Sequence, residues 1–266
     1  MRKTLSIIIP AFNEERLIGA CLDAIATQTD MPDEVIVVDN NSTDRTAEIA
    51  ESYPFVKVLR EKKQGIVYAR NAGYDAAKCD IIGRIDADVV IPRGWVWRVR
   101  KFYDNPRHEQ CGLSGNGRPN NLRFPRMNGW LQGQIAFRVN RLLMGHYIFF
   151  GSNMAFPRKI WQQIRPDICL RTDIHEDLDL AVHFHRAGYQ ITYQETLRVT
   201  GRAARLITNR KDLLNNLMFW PRTLRVHYIR TWIFGWIGAV LLYGISVLPW
   251  IFERIARLAG RKPLSD

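Results

Sequence analysis

With 266 residues the chain can hold one large α/β domain and an appendage, and 47% hydrophobic against 24% charged residues excludes bulk disorder. The net charge of +12 is unevenly spread: residues 198–266 carry 12 Lys and Arg against 3 Asp and Glu, and basic flanks around an apolar run favour a membrane surface over nucleic acid. Cys21, Cys79, Cys111 and Cys169 lie far apart without a CxxC pair, so they suggest neither a zinc site nor a disulfide framework and read as small buried thiols in a reducing compartment.

Leu5–Ile9 reads as a first buried strand. Met1-Arg2-Lys3 precedes it, but Pro10 and Asn13-Glu14-Glu15 end the apolar stretch without a small-residue cleavage site, which argues against a secretion signal. Asn13-Glu14-Glu15 opens a helix with Leu17, Cys21, Ala24 and Ile25 on one face. Glu34–Asp39 is a second strand, and Ser42-Thr43-Asp44 cap a helix through Ser52. Phe55–Leu59 is a third strand, Ile66–Ala77 a third helix and Asp80–Ile85 a fourth strand. This alternation predicts an α/β fold with a mostly parallel sheet covered on both faces.

Trp95–Phe102 predicts another helix, and residues 114–134, rich in Gly, Asn, Arg and Pro, a long loop. Phe149–Pro157 reads as extended, and His175–Ala187 as a helix ending at Gly188. Gln190–Tyr193 and Leu197–Thr200 read as a closing pair of strands. Asn209–Ile229 mixes apolar and basic residues, as an interfacial helix does. Thr231–Phe252 contains no Asp, Glu, Lys, Arg or His; as a helix it would span about 33 Å against a hydrocarbon core of about 30 Å. Trp232, Trp236 and Trp250 near its ends suit interfacial aromatic belts, and Gly235, Gly238, Gly244 and Pro249 are better tolerated in a membrane than in a soluble helix.

Ligands of open parallel sheets bind at the carboxyl ends of the strands. Those ends carry Pro10-Ala11-Phe12-Asn13-Glu14, Asp39-Asn40-Asn41-Ser42 and Asp86-Ala87-Asp88. Extended residues i and i+2 project to one side, so Asp86 and Asp88 would repel unless a cation sits near them, and an all-oxygen set suits Mg²⁺ or Mn²⁺; the alternative is two solvated aspartates. Asp39 could hydrogen-bond a base or ribose, or cap the next helix. Gly65, Arg70, Asn71 and Gly73 form a GxxxxRNxG pattern in which Arg70 either grips a phosphate or is a solvated helix arginine. No Walker A or GxGxxG sequence is present. Glu176-Asp177 opens a helix, where acids favour the dipole but also offer a general base. His175, Asp179 and His183 share a helix face, yet His175 and His183 would be about 12 Å apart, so His183 and His185 read as structural.

The ordered motifs PAFNEE, VVDNNSTDRT, GxxxARNAG, DAD, GSNMAF and HEDLDL…RAGYQI resemble the family 2 glycosyltransferases of GT-A fold over roughly residues 4–200. The resemblance implies that Pro10, Ala11, Phe12, Glu14 and Asp39 line a nucleoside pocket. Arg70 and Asn71 would lie near the diphosphate, and Asp86 and Asp88 would hold the metal and diphosphate. Asp177 matches the catalytic base, with Glu176 beside it. Two departures stand out. The QxxRW motif of processive members is absent, Phe219-Trp220-Pro221-Arg222 being nearest, and Pro157–Ile174 lacks the usual Gly-Gly-Phe-Asp stretch.

The implied activity is inverting, non-processive transfer from a nucleotide-diphosphate sugar, UDP being the commonest, to a hydroxyl of a lipid-linked or saccharide acceptor. Alternatives are a polyprenyl-phosphate sugar synthase and a non-catalytic, membrane-attached nucleotide-binding module; a nucleotidyltransferase lacks its glycine-rich basic signature here. The expected organisation is a GT-A domain over 1–205, a basic interfacial segment over 206–230, a membrane-inserted helix over 231–252 and a basic tail over 253–266. Expected partners are donor, acceptor and membrane lipids, not nucleic acid, with the catalytic domain on the cytoplasmic side of an inner or plasma membrane.

Overall fold

An Ile-Ile-Ile run needs cover on both faces, and Leu5–Ala11 (β1) is buried along its whole length. The computed structural model describes residues 2–119, 137, 138, 140–201, 210–233 and 235–237; residues 120–134 of the expected loop and 238–252 of the expected apolar helix lie outside them. Glu34–Asp39 (β2), Val56–Arg60 (β3) and Ile81–Ile85 (β4) follow β1. They alternate with Ile18–Ala26 (α1), Thr46–Glu51 (α2) and Ile66–Ala76 (α3). Val89–Val90 (β5), Trp95–Tyr103 (α4), Cys111–Pro119 (β6) and Asn140–Met144 (α5) come next. Asn153–Pro157 (β7), Arg158–Ile164 (α6), Glu176–Arg186 (α7), Gln190–Gly201 (β8) and Arg210–Val226 (α8) follow, with short 3-10 turns at Pro106–His108 and Arg165–Asp167.

The eight strands form one sheet in the order β3-β2-β1-β4-β7-β6-β8-β5. β1 pairs in parallel with β2 and β4, as do β2 with β3 and β6 with β8; β4–β7, β6–β7 and β5–β8 are antiparallel. The sheet is therefore mixed: four of its seven pairings are parallel, and the three antiparallel ones involve β5 or β7, which come after the strand-helix-strand spacing that enforces parallel pairing has ended at β4. Residues 114–119 belong to β6 and not to a loop. Their Gly, Asn and Pro content hid a strand whose backbone is satisfied by β7 and β8. The closing strands are a single element, β8, with a register shift against β6 between Ser114 and Asn116.

Chain order sends β2 and β3 to one side of β1 and β4 to the other, so the switch point lies between β1 and β4. The pairing of β1 with β4 stops at Ile8 and Arg84, while β1 continues against β2 as far as Ala11 and Asp39. Pro10, which has no N–H to donate, sits beyond the last β4 partner. The sheet thus opens at its carboxyl edge between the ends of β1 and β4.

Two apolar layers cover the sheet. Ile7 and Ile9 pack with α1, Trp95 and Val99 on one face; Ile8, Ile36 and Val38 pack with residues of α3, α6 and α7 on the other. Gly73 explains part of the GxxxxRNxG pattern. A Cβ there would lie 2.3 Å from Ile8 Cγ2 and 3.0 Å from Val38 Cγ2, so only glycine lets α3 lie this close to β1 and β2.

Contacts divide the chain into two units, residues 1–172 with 176–202, and 173–175 with 203–266. In the second, the Thr223 hydroxyl accepts the His175 N–H (2.9 Å) and donates to the Phe219 carbonyl (2.7 Å) within α8. Tyr228, Ile233, Trp236 and Ile237 are exposed. Among the described residues no helix is long and apolar enough to cross a membrane.

Candidate active site

Arg84 is a charged residue inside the otherwise apolar β4, Ile-Ile-Gly-Arg-Ile, and is only 2% exposed. A buried guanidinium must be paired. Its Nη1 donates to Asp177 Oδ1 (2.7 Å), while Nη2 donates to both Asp86 Oδ1 and Glu176 Oε1 (3.1 Å each). One side chain on β4 therefore gathers the strand-end acid and both acids that open α7.

The GSN tripeptide supports this cluster with two direct contacts and anchors itself through a third residue. The Gly151 N–H donates to Asp177 Oδ2 (2.9 Å), and the Ser152 hydroxyl to Asp86 Oδ2 (2.6 Å). Asn153 is fully buried on β7. It accepts the Trp95 indole N–H (2.8 Å) and donates to the carbonyls of Asn116 (3.0 Å) and Leu197 (2.7 Å), bracing the bulged β6–β8 pair. A Cβ on residue 151 would lie 2.3 Å from Asp177 Oδ2. Gly151→Ala should therefore displace that carboxylate and lower kcat about a hundredfold with little change in donor KM; steady-state kinetics alongside a melting curve checks this.

Asp177 is half-buried, and its pKa is pushed up to about 7 by loss of water and by the Glu176 charge, against the pull of Arg84, with Asp86 raising it further. Such a carboxylate accepts a proton near neutral pH far better than an ordinary aspartate. Arg84 stays charged: Asp177, Asp86 and Glu176 outweigh its burial and hold its pKa well above the usual value.

Asp86 and Asp88 flank buried Ala87. They sit in a turn closed by the Val89 N–H on the Asp86 carbonyl (3.1 Å), so a tight reversal, and not the expected extended i, i+2 geometry, brings them together. Burial, then Asp88, Asp86 and Glu14, push the Cys21 thiol far above its ordinary range, so all three acids lie within electrostatic reach of that one thiol. Asp86 has two hydrogen bonds, leaving acceptor capacity on a carboxylate with about four lone-pair sites. This oxygen-only, negative setting fits a hard divalent cation.

The loops that follow β1 and β2 are laced to one another. Asn13, at φ 54°, accepts the Thr43 N–H through Oδ1 (2.8 Å) and donates its own N–H to the Ser42 hydroxyl (3.0 Å). The Glu14 N–H donates to Thr46 Oγ1 (2.7 Å) and the Glu15 N–H to Asp44 Oδ2 (3.1 Å). Ser42 and Thr43 thus bind the first loop instead of capping α2, while Asp44 Oδ1 does accept the Thr46 N–H (3.0 Å). Asp39 is buried at the end of β2 and accepts the Ser42 N–H (3.3 Å). Asn40 ties the approach to α3 by donating to Glu61 and Lys63 carbonyls and accepting the Gly65 N–H. Pro10, Ala11 and Glu14 are buried beside this lacing, and Phe12 is 43% exposed.

Arg70 does not present itself to a ligand. It is fully buried, with its guanidinium on Asn71 Oδ1 (3.0 and 3.1 Å) and on the Glu176 carbonyl (2.6 Å). Its place is architectural, fastening α3 to the start of α7, and Asn71 is engaged with it. Arg84 escaped the sequence reading, and Gly151 and Ser152 entered it only within the GSNMAF motif, without a role. The available signal was an arginine within a strand too apolar to be exposed.

Comparison with known proteins identifies the family and the fold. The model of the family described as Glycosyl transferase family 2 matches residues 6–165, more than half of the chain. Among curated relatives, an uncharacterized glycosyltransferase, EpsJ, of Bacillus subtilis is 38% identical over 88 residues, 32% of this chain and 26% of that one. Glycosyltransferase AglE of Haloferax volcanii is 38% identical over 101 residues, 35% of this chain and 33% of that one. The chain thus spans about a quarter to a third of the length of these relatives. A mannosyltransferase, PcManGT, of Pyrobaculum calidifontis, solved with GDP-Man and Mn²⁺, superposes with a TM-score of 0.66 at 21% identity over 99% of this chain and 77% of its own. The glucosyl-3-phosphoglycerate synthase of Mycobacterium tuberculosis, solved with Mn²⁺, UDP and glucosyl-3-phosphoglycerate, gives 0.59 at 19% identity over 84% and 79%. The shared feature at these identities is the fold, which is GT-A-like.

Proposed function

The chain belongs to glycosyl transferase family 2, and from that premise we propose that it moves a sugar from a nucleotide-diphosphate donor to an acceptor hydroxyl with inversion, in a single non-processive step. One observation carries the reading: Arg84 ties Asp177 and Asp86 to the same guanidinium, so the acid of α7 and the acid of the β4 end face a common space. Asp177 takes the proton of the acceptor hydroxyl as that oxygen attacks the anomeric carbon from the side opposite the leaving diphosphate. Gly151 and Arg84 each hold one of its oxygens and fix the direction of proton transfer. Asp86 and Asp88 would hold Mg²⁺ or Mn²⁺, which supplies charge neutralisation to the departing nucleotide when bound. The laced loops at Pro10–Glu14 and Asp39–Thr43 form the nucleoside side, with a UDP-linked donor the first to test.

A phosphate acceptor is already ionised and needs no base, so the raised pKa of Asp177 favours a hydroxyl acceptor over a polyprenyl phosphate. With Mn²⁺ present, one member of a nucleotide-sugar panel should raise the melting temperature, because a ligand that binds only the folded state at a hundred times its Kd adds about 2.7 kcal/mol. Asp88→Asn should abolish the metal-dependent part of that shift. A panel that shifts nothing, with or without metal, removes the transferase reading.

The basic surplus of residues 198–266, together with exposed Tyr228, Ile233, Trp236 and Ile237, supports membrane association of the C-terminal segment, with the catalytic unit on the cytoplasmic side. An acceptor carried on a lipid, of the kind used in cell-envelope polysaccharide synthesis, fits that placement. In a flotation assay the full chain should bind vesicles containing phosphatidylglycerol and release partly at high salt. Absence of binding to these vesicles rejects the membrane reading while leaving the transfer chemistry untouched.

A further inference from the structure

Three side chains away from the acid cluster meet around a point that the transfer reaction does not use. Asp179 and His183 stand one turn apart on α7, and Cys169 comes from the segment before that helix. His183 Nε2 lies 3.4 Å from Asp179 Oδ1 and 3.9 Å from Cys169 Sγ. The donor atoms of all three lie within 4.8 Å of one another. Asp179 is fully buried and His183 only 9% exposed.

These separations are long for direct bonds. A charge-assisted N–H···O contact settles near 2.7–2.9 Å, about half an ångström shorter than the pair here. They do suit ligands around one ion. With Zn–N and Zn–O of about 2.0–2.1 Å and Zn–S of about 2.3 Å in a tetrahedron, neighbouring N and O ligands stand about 3.3 Å apart, and N and S about 3.6 Å. The i, i+4 spacing of Asp179 and His183 also points two donors from one helix face at a single position. The combination of thiolate, imidazole and carboxylate selects a borderline cation over the hard ions that an all-oxygen site takes.

We propose that Cys169, Asp179 and His183 supply three ligands of a structural Zn²⁺ site, separate from the candidate cation site at Asp86 and Asp88. A cation there offsets the buried Asp179 carboxylate and fastens the residue-169 segment to α7. That fastening sets the helix whose first turn carries Glu176 and Asp177. Binding releases the Cys169 thiol proton to solvent, forms the S–Zn bond and involves no redox change.

The test uses the full-length, tag-free protein, dialysed against micromolar Zn²⁺ and then against metal-free buffer. Elemental analysis should find about one zinc per chain, retained in Asp88→Asn and lost in Cys169→Ser and in His183→Gln. Replacement by Co²⁺ should give a thiolate-to-cobalt charge-transfer band, which tests Cys169 in the wild-type chain even where a variant fails to fold. Stripping with 1,10-phenanthroline should lower the melting temperature of the wild type and leave that of Cys169→Ser unmoved. A wild-type protein that retains no zinc, retains it equally in Cys169→Ser, or binds Co²⁺ without the charge-transfer band overturns the proposal.

Discussion

Asp177→Asn should cut sugar transfer about a thousandfold, within the 10²–10⁴ range of a lost general base, and leave the metal-dependent shift by donor intact. In the wild type, kcat/KM should fall on the acid side as Asp177 takes up a proton, with a midpoint at or below about 7 because bound metal adds positive charge nearby. The same group has an opposite signature in stability. In an unfolded chain the carboxyl titrates near about 3.9, so between about pH 4 and pH 7 the native protein holds a proton that the unfolded chain has released. Stability from Asp177 is therefore fully present below that window and declines as pH rises through it. The melting temperature of Asp177→Asn relative to wild type should climb from pH 5 to pH 8. Undiminished turnover in the variant would remove Asp177 from the chemistry, and a flat difference in melting temperature would mean that its carboxyl is not strained in the fold.

Arg84→Met should be the most destabilising single change in the acid cluster. It leaves Asp86, Glu176 and Asp177 facing one another without their shared cation, and breaking a buried ion pair by deleting one partner costs about 3–5 kcal/mol. The deficit should shrink at pH 5, where carboxyls left without Arg84 take up protons. Residual activity should show its acid limb at higher pH, since the charge that pulls the Asp177 pKa down is gone. Combining Arg84→Met with Asp177→Asn should cost less than the sum of the separate losses, because both remove the same contact. Chemical denaturation of the four proteins closes that cycle; strict additivity would show that Arg84 and Asp177 do not depend on each other.

The parts of this molecule that could be read from the chain are those where local pattern and global fold agree. Glu34–Asp39 was legible to the residue because a continuous apolar run ended by a polar cluster has one comfortable home, the middle of a covered sheet. The position of Asp86 and Asp88 just after such a strand was legible, although a turn, and not extended geometry, joins them. Arg70 was misjudged because motif likeness says nothing about burial; only the fold shows its guanidinium held inside by Asn71 and Glu176. β6 escaped because Gly112, Gly115 and Gly117 suit a loop by propensity, while in the sheet they make room for Phe149, Asn153 and Phe150. The Cys169–Asp179–His183 grouping was hidden for a related reason: the helical spacing of His175, Asp179 and His183 drew attention along one face, and the third donor comes from outside the helix.

The lacing of Asn13, Glu14 and Glu15 to Ser42, Thr43, Asp44 and Thr46 runs through contacts that include none of Arg84, Gly151 or Asp177. In the proposed reaction, nucleoside recognition and proton transfer would consequently be anchored on different strands of the same scaffold. On that reading a lineage, or an engineer, would retune which base is admitted by exchanging residues at the tips of the first two loops while the Arg84 cluster stays in register. That modularity would give one architecture a route to many donors.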